Sequence, residues 1–536
     1  MQKNLNPKSK PSQDEMAELK KLFQLNELDA LEEKTKKLIG IYPKISILYN
    51  ILGVVFQKKN KLSDAIFNFN KAISINPNFD QALNNLGNVL QNTGKFNDAI
   101  KYYQKAIKIN PDYAEAYSNL GNTLSELGKF EEAVVNYQKA LKINPNHPEF
   151  YTNLGGSLVE LGKLEDAISN HKKAIKINSN YAEAYSNLGN ALFELGKSNE
   201  AILNHQKAIK LNPQYKKAIL NESMIRLAAG EFEIGWEKYE ARLAENSKTP
   251  IRYQIEKMWD GNYLDGTLLV WGEQGVGDQV LYLSMINDLK KCAKNIILEI
   301  DVRLKNLLKR YFEKKNFTNI TLIDKKFKDE FDRHIPIGSL GKFLRKSKIS
   351  CQNNTGKYLI SSASKEDKYK KKYFQNNKFK IGLSWKTLNK LQKYRNVDLK
   401  EMIPIISNSN CDFVNLQFGK FEEDLKYIQT KFGINIKTIK EVDNYSDLDG
   451  LAALINCLDL VISIQNSTAH IAGALGKKTY VMVSKLGTPK WHWMNEEKKS
   501  LWYPSLRIFE QEQIQSWDKV IKDINADLKK LISNIN

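Results

Sequence analysis

Cysteine is scarce in this chain, which has four cysteines in 536 residues. They stand at Cys292, Cys351, Cys411 and Cys457. No two form a C-x-x-C pair, and their long spacings match no zinc-binding pattern. A large chain with so few cysteines is typical of a reducing compartment, where disulfides do not persist.

Long hydrophobic runs are also missing. The N-terminal stretch MQKNLNPKSKPSQDEM is polar, so it lacks the apolar segment of a secretory signal peptide. No apolar run elsewhere approaches the ~20 residues that a helix needs to cross a bilayer. We therefore expect a cytoplasmic protein without a transmembrane segment.

Acidic residues are too few to balance the basic ones. The chain has 81 lysines and arginines against 61 aspartates and glutamates, a formal charge of +20. The lysines are spread along the chain, which is typical of a solvated surface. A basic cleft for an anionic substrate or a nucleic acid is the alternative. Because the chain has no nucleic-acid-binding motif, we expect no nucleic-acid partner.

The length and the apolar content indicate a folded protein with more than one domain. Hydrophobic residues make up 42% of the chain and aromatic residues 10%, which excludes a largely disordered protein. A chain of 536 residues is too long for one hydrophobic core, so two or three domains are expected.

A 34-residue period runs through the N-terminal half. Small residues recur with this period at Gly53, Gly87, Gly121, Gly155 and Gly189, and at Ala65, Ala99, Ala133, Ala167 and Ala201. A fixed period of this length is typical of stacked helical repeats. We expect the small residues to stand where two helices cross closely.

Each repeat has the pattern of two helices. In residues 79–110, apolar positions at Ala82, Leu86 and Leu90 share one helical face. A Gly-Lys pair then interrupts the pattern, a second apolar face follows, and an Asn-Pro pair ends it, because proline cannot continue a helix. The Leu-Gly pair, the later alanine and the closing Asn-Pro resemble the tetratricopeptide repeat. This resemblance covers residues 10–245 and implies an α-solenoid.

One asparagine column of the repeats is a candidate peptide-binding device. It comprises Asn85, Asn119, Asn153, Asn187 and Asn221. An amide donates and accepts hydrogen bonds, so a ladder of amides can hold an extended chain without reading its sequence. The column resembles the ladder that grips the polypeptide acceptor in O-linked N-acetylglucosamine transferases. The alternative is that asparagine is simply frequent at this position of the repeat.

The C-terminal half alternates short apolar runs with helical stretches. Runs at 267–271, 295–300 and 320–323, and again at 380–385, 412–417, 459–464 and 479–483, have the character of buried parallel strands. A lysine-rich stretch separates the two sets. We therefore expect two Rossmann-like lobes, at residues 250–375 and 378–536, so that the fold class is α followed by α/β.

Two strand-to-helix turns carry the candidate chemistry. The first places Asp278 at the start of a helix, where it is either a helix cap or a general base. The second runs through Asn466, Ser467 and Thr468 to His470. Free N–H groups at such a helix start suit a phosphate, and a structural capping turn with a hydrogen-bonded histidine is the alternative.

Residues 255–525 resemble the heptosyltransferase-like glycosyltransferases of family 9, which have the two-lobed GT-B fold. The shared segments include EQGVGD, HIPIGSL, GLSW with Lys386, and TAHIAGALG. The resemblance implies that Asp278 deprotonates an acceptor hydroxyl. It also implies that Lys386 contacts the donor diphosphate and that Asn466, Ser467, Thr468 and His470 belong to the loop that holds the donor phosphates.

The function that this resemblance implies is inverting transfer of a hexosyl or heptosyl group. The donor is a nucleotide sugar, no metal or other cofactor is needed, and the repeats recruit the acceptor, possibly a protein. The family usually has Asp-Thr/Ser-Gly where this chain has Gln465, Asn466 and Ser467. This departure favours the alternative, a non-catalytic repeat scaffold that carries a degenerate transferase domain.

Two further segments are ambiguous in sequence. Asp447-Leu448-Asp449 matches the D-x-D of metal-dependent glycosyltransferases, but it precedes a helix, so we interpret it as acid at a helix start. The aromatic residues Trp491, Trp493, Trp502 and Tyr503 would either stack against a sugar or base, or pack an interface.

Overall fold

The computed structural model describes residues 10–244, 250–352, 356–388, 394–486, 490–493, 500–514 and 516–533. The chain divides into two compact units, the first ending at Ala191 and the second beginning at Leu192. No helix in the described ranges is both long and apolar enough to cross a membrane.

Successive helices of similar length carry the repeats. They are α1 (Gln13–Gln24), α2 (Leu28–Ile41), α3 (Ser46–Lys58), α4 (Leu62–Ile75), α5 (Asp80–Asn92), α6 (Phe96–Ile109), α7 (Ala114–Glu126), α8 (Phe130–Ile143), α9 (Pro148–Glu160), α10 (Leu164–Ile177), α11 (Ala182–Glu194), α12 (Ser198–Leu211), α13 (Lys216–Ala228) and α14 (Phe232–Tyr239). From α1 to α10, each helix packs against the next one along the chain. The predicted helical solenoid is confirmed.

The turn inside each repeat depends on a glycine. Gly94 follows α5 with φ +75°, a left-handed conformation that only glycine adopts at little cost. The Gly94 N–H donates to the Gln91 carbonyl at 2.9 Å, and the Lys95 N–H donates to the Leu90 carbonyl at 2.9 Å. These bonds satisfy the last carbonyls of α5 and allow α6 to begin almost at once.

The periodic glycines Gly53, Gly87, Gly121 and Gly155 make room for a ring from the second helix. A Cβ atom built on Gly87 would lie 2.6 Å from Cε1 of Tyr103. The Tyr103 ring is fully buried, and its hydroxyl donates to Oδ1 of Asn88 at 2.8 Å. The expectation that small residues mark close helix crossings is confirmed here.

The second unit continues from α12 into the first of two parallel sheets. This sheet has the order β3-β2-β1-β4. Its strands are β1 (Leu264–Trp271), β2 (Ala293–Glu299), β3 (Ile320–Ile323) and β4 (Arg333–Pro336). Its helices are α15 (Val276–Leu283), α16 (Ile286–Leu289), α17 (Lys305–Lys315), α18 (Leu340–Leu344), α19 (Lys348–Gln352) and α20 (Ala363–Tyr373).

The second sheet has six parallel strands in the order β10-β9-β8-β5-β6-β7. The strands are β5 (Phe379–Ser384), β6 (Cys411–Asn415), β7 (Ile436–Lys437), β8 (Leu460–Ile464), β9 (Thr479–Val483) and β10 (Leu506–Glu510). The helices are α21 (Ile403–Ile406), α22 (Glu422–Phe432), α23 (Leu448–Asn456), α24 (Ser467–Ala474) and α25 (Asp518–Ser533). Every residue of β8 and β9 is buried, as expected for parallel strands covered on both faces.

The two sheets confirm an α/β C-terminal region. In each sheet the strand order reverses at a pair of neighbouring strands, β1 and β4 in the first and β5 and β8 in the second. Ligands of open parallel sheets bind beyond the carboxyl ends of such strands. The division at 10–245, 250–375 and 378–536 stays a prediction, and its ends at 245 and 536 lie outside the described residues.

Candidate functional site

The structure brings the two predicted turns together. A Cβ atom built on Gly277, in the first turn of α15, would lie 3.1 Å from Cδ2 of His470 and 3.5 Å from Cα of Ser467. The starts of α15 and α24 therefore touch. One follows β1 and the other follows β8, so both stand at points where the strand order reverses.

Asp278 caps a helix and has a raised pKa. Its Oδ2 accepts a hydrogen bond from the Gly275 N–H at 3.2 Å, so the side chain helps to cap α15. Burial, together with the negative charge of Glu273, raises the pKa of Asp278 to about 6 against the opposing effects of the Gly275 N–H and Arg395. A carboxyl group with this pKa exchanges a proton near neutral pH.

The turn before α15 holds a left-handed residue that is not glycine. Gln274 has φ +61°, and its Nε2 donates to the Tyr239 hydroxyl at 3.2 Å. A non-glycine residue in this conformation costs free energy and persists only when its surroundings hold it there. The backbone that presents Asp278 is thus fixed by its contacts.

His470 is a buried neutral imidazole. Its Nδ1 lies 2.9 Å from the Tyr503 hydroxyl, and its ring centroid is 4.2 Å from that of Trp493. Burial, reinforced by the charge of Arg395, lowers the pKa of His470 to about 3. His470 therefore offers a hydrogen-bonding nitrogen, and no positive charge, beside the helix start that carries Asp278.

Asn466 is the N-cap of α24. Its Oδ1 accepts from the Thr468 N–H at 3.0 Å and the Ala469 N–H at 3.3 Å. Its Nδ2 donates to the Ser384 hydroxyl at 2.8 Å, which ties the turn to β5. The Asn466 side chain is thus engaged in the turn itself. Ser467, the first residue of the helix, remains half-buried.

Arg395 is a buried cation that sequence reasoning missed. Its side chain lies at the start of α24, where Nη1 is 3.5 Å from the Gln465 carbonyl. The residue is 9% exposed, and its Nε has no hydrogen-bond partner in the described part of the chain. Arg395 is the shared electrostatic neighbour of Asp278 and His470.

Other unpartnered donors surround the same turn. Thr468 Oγ1 and Gln465 Nε2 are both buried and have no hydrogen-bond partner among the described residues. Buried polar groups are almost always hydrogen-bonded in folded proteins. Together with Arg395, these groups form a donor-rich cluster at a helix start, where an anion such as a phosphate would find partners.

Lys386 lies apart from this cluster. It follows β5, and its Nζ pairs with Asp424 at 2.7 Å and 2.5 Å from the two carboxylate oxygens. Its backbone N–H donates to Oε1 of Gln417 at 2.8 Å. No contact in the described chain joins Lys386 to Asp278 or His470, so its role at the donor diphosphate stays a prediction.

A cavity of about 1080 Å³ opens beyond β6 and β7. Its walls include apolar and aromatic side chains and several lysines. Among the lining residues are Leu388, Gln417, Phe418, Lys437, Ile439 and Tyr445. Because Gln417 also binds the backbone of Lys386, the cavity adjoins the segment that carries this lysine.

The remaining ambiguous segments have structural roles. Asp447 is the N-cap of α23, where its side chain accepts from the Gly450 N–H at 2.8 Å. The Trp491, Trp493, Trp502 and Tyr503 side chains are all buried. The Trp502 indole N–H donates to the Trp491 carbonyl at 2.9 Å, so these rings pack the interior.

The asparagine column lies partly in a groove of about 600 Å³ in the first unit, which we call the amide groove. It is lined by Gln81, Asn84, Asn88, Tyr113, Glu115, Ser118, Asn119, Asn122, His147, Glu149, Phe150 and Asn153. Asn84, Asn88 and Asn122 were missed by sequence reasoning, although the last two recur with the repeat period directly after the glycines.

Two members of the predicted ladder bond to neighbouring helices. Asn85 Nδ2 donates to Asn50 Oδ1 at 3.1 Å, and Asn119 Nδ2 donates to Asn84 Oδ1 at 3.0 Å. The NH₂ group of each of these two amides is thus already hydrogen-bonded to an asparagine of another repeat helix. Asn187 lies half-buried on α11, and Asn221 lies half-buried on α13.

Family comparisons account for the repeats. Profiles described as tetratricopeptide repeat match residues 79–146, 136–169 and 182–215. One described as TPR repeat matches residues 53–94 and 155–196. Residues 53–215 are tetratricopeptide repeats. Such repeats form a scaffold for binding other proteins.

Among curated proteins, Protein FlbA of Caulobacter vibrioides is 29% identical over 326 residues, which are 57% of this chain and 54% of that protein. The chain thus spans about half the length of the curated relative it matches.

Among solved structures, YrrB is described as a TPR protein with an unusual peptide-binding site. It is 22% identical, and the match covers 35% of this chain and 97% of YrrB with a TM-score of 0.30. Pseudomonas aeruginosa PilF is 17% identical and covers 38% and 93%, with a TM-score of 0.35.

Proposed function

We propose that the C-terminal region is an inverting, metal-independent glycosyltransferase of the GT-B fold that uses a nucleotide-sugar donor, and that the repeats recruit its acceptor. The observation that carries this proposal is the contact between two helix starts. One start presents Asp278, a carboxyl group with a pKa of about 6. The other is surrounded by unpartnered donors and the buried Arg395.

The acid and the donor-rich turn have complementary roles. Asp278 takes the proton of an acceptor hydroxyl as that oxygen attacks the anomeric carbon of the sugar. The bond from this carbon to the diphosphate breaks, and its electron pair leaves with the nucleoside diphosphate. The guanidinium of Arg395 and the Thr468 hydroxyl, which have unpartnered donors, stabilise the negative charge that develops on the leaving phosphate.

The remaining parts of the nucleotide have a place in the second sheet. The cavity beyond β6 and β7 holds apolar and aromatic surface for a nucleobase. Lys386 follows β5 near that cavity and releases Asp424 to contact the diphosphate. His470 stays neutral, so it contributes a directional hydrogen bond to the donor and no additional charge.

A transfer assay with a panel of nucleotide sugars tests the proposal. Because the pKa of Asp278 is raised to about 6, kcat/KM should rise with pH up to about 6 and then level off. Asp278→Asn should lower transfer by about 10²- to 10⁴-fold and remove this pH dependence. Asp265→Asn is the control, since Asp265 is an exposed acid that pairs with Lys294 at 3.2 Å.

A non-catalytic scaffold is the second candidate function. The side chain of Asn466 is occupied by Ser384 and by the N–H groups of α24. Gln465 stands where the family that the sequence resembles has an aspartate, and its Oε1 accepts from the Ser484 N–H at 3.0 Å, so the turn offers no carboxylate. If no nucleotide sugar raises the Tm of the protein and none is turned over, the scaffold replaces the transferase as the proposed function.

A further inference from the structure

The charge of the amide groove is opposite to that of the whole chain. Its lining includes two carboxylates, Glu115 and Glu149, and among the described lining residues there is no lysine or arginine. The chain as a whole carries a formal charge of +20. A cationic ligand of this groove must therefore be held by local contacts, because the net positive charge of the protein repels it.

The two carboxylates face solvent without a described ionic partner. Glu115 and Glu149 occupy the second position of α7 and α9, one repeat apart. Both residues are exposed, and neither belongs to any ion pair in the described chain. In the preceding repeat the same position holds neutral Gln81. Two successive repeats thus present an unpaired negative charge at the edge of one groove.

Lysines of the same repeats lie elsewhere. The Nζ atom of Lys105 stands 5.4 Å from the ring centroid of Tyr102, and that of Lys139 stands 5.6 Å from the ring centroid of Tyr117. These lysines belong to the second helices α6 and α8. They therefore leave Glu115 and Glu149 free to pair with cations from outside the chain.

The floor of the groove suits a polypeptide backbone. Asn88 and Asn122 line it with amides, whose Oδ1 atoms accept from Tyr103 and Tyr137 and whose NH₂ groups can donate to backbone C=O groups. His147 stacks on Phe150 with ring centroids 4.0 Å apart. His147 Nδ1 is shielded from solvent and has no hydrogen-bond partner in the described part of the chain. An additional polar partner is thus expected inside the groove.

We propose that the amide groove binds an extended peptide segment that carries lysine or arginine side chains. The amides hold its backbone, and Glu115 and Glu149 pair with its cations. This inference specifies the partner of the proposed acceptor-recruiting repeats. It rests on the protein-binding role of the repeats and does not depend on sugar transfer.

Fluorescence anisotropy with three labelled peptides of equal length tests this assignment on the full chain. The peptides alternate serine with lysine, glutamine or glutamate. The lysine peptide should bind most tightly, and the Glu115→Gln/Glu149→Gln double variant should weaken it about three- to tenfold, as expected for two exposed ion pairs. The glutamine peptide should be unaffected by these substitutions.

A matched double variant controls for the change in net charge. Glu131→Gln/Glu165→Gln removes two exposed acids from the first turns of α8 and α10, and it should leave the affinity for the lysine peptide unchanged. Equal weakening by both double variants, or a preference for the glutamate peptide, would overturn the proposal. The Asp278→Asn variant should bind the lysine peptide as tightly as the wild type. Peptide binding therefore tests the amide groove independently of the transferase proposal.

Discussion

At the scale of single residues, the ring that covers the repeat glycine changes together with its partner on the first helix between the repeats of Gly121 and Gly155. The Tyr137 hydroxyl donates to Asn122 Oδ1 at 2.7 Å. One repeat later the ring is His171, and the position of the asparagine is Gly156. The hydroxyl and its acceptor are thus lost together. His171 is fully buried, and neither of its ring nitrogens has a hydrogen-bond partner among the described residues.

We predict that His171→Phe reduces the acid sensitivity of the repeats. Burial lowers the pKa of His171 from 6.5 to about 4, so the unfolded chain binds a proton more readily than the folded chain. The stability that depends on neutral His171 is present above about pH 6.5 and is lost as the pH falls towards 4, by about 3 kcal/mol. Phenylalanine fits, because Phe69 covers Gly53 in the same way.

The measurement for this prediction is Tm as a function of pH. At about pH 7.5 the variant should match the wild type, and at about pH 5 it should be the more stable of the two. His147→Phe is the control, since it makes the same chemical change at a half-exposed ring. A variant whose Tm falls with acid as steeply as that of the wild type would contradict the assignment to His171.

The candidate site was only partly predictable from single residues. Asp278 and His470 follow strands, so their place at the edge of a sheet could be inferred from the local pattern. Arg395 contacts Gln465 at the start of α24, which lies 70 residues later in the sequence. No local sequence pattern predicts a contact between residues so far apart. Lys386 was a reasonable choice by motif, but the Asp424 carboxylate that it contacts lies 38 residues away.

At the scale of elements, two adjacent glycines of α9 allow a direct test of helix crossing. A Cβ atom on Gly155 would lie 2.5 Å from Cε1 of His171, whereas one on Gly156 would have no neighbour within 4 Å. We predict that Gly155→Ala destabilises the repeats by about 1–3 kcal/mol through overpacking. Gly156→Ala should stabilise them by about 0.5–1 kcal/mol through higher helix propensity.

Urea unfolding followed by circular dichroism measures both variants against the wild type. The prediction is tested by the opposite signs of the two changes in unfolding free energy, because the two substitutions are chemically identical and adjacent in sequence. If both variants shift the unfolding midpoint in the same direction, packing against His171 does not explain the periodic glycine, and helix propensity alone would decide the outcome.

The predictability of the elements followed from their patterns. The repeat helices could be predicted because five glycines share one period. The strands β3 and β9 begin and end at the residues that the apolar runs predicted. Three strands were not assigned: β4, β7 and β10. β7 has only two residues, and β4 begins with a charged residue. These three strands are defined by their hydrogen bonds to neighbouring strands. A short stretch of sequence carries no information about that pairing.

At the scale of the whole molecule, the last repeat helix is built into the α/β region. The Trp236 indole N–H of α14 donates to the Arg345 carbonyl at 2.9 Å, and its ring packs on Gly341. Arg242, just beyond α14, pairs with Glu273 at 2.5 Å after β1. Glu273 also accepts from the Gly338 N–H at 3.1 Å. The last repeat helix and the first sheet, both in the second unit, therefore share one buried polar network.

We predict that Arg242→Met loosens the end of the repeats and the first sheet together. Glu273 would remain as a buried carboxylate without its cation, and breaking such a pair costs about 3–5 kcal/mol. Hydrogen exchange should show lost protection both in α14 and at the carboxyl end of β1. Arg242→Met/Glu273→Gln should recover part of it, because no uncompensated charge remains.

Arg226→Met provides the matched control for this coupling. Arg226 is also mostly buried, and it pairs with Glu222 at 2.7 Å within α13 and with Glu231 in the following turn. Its loss should reduce protection in the repeat helices and leave β1 unchanged. If Arg242→Met likewise spared β1, the shared network would not couple the two architectures, and the last repeat would be an independent cap beside the sheet.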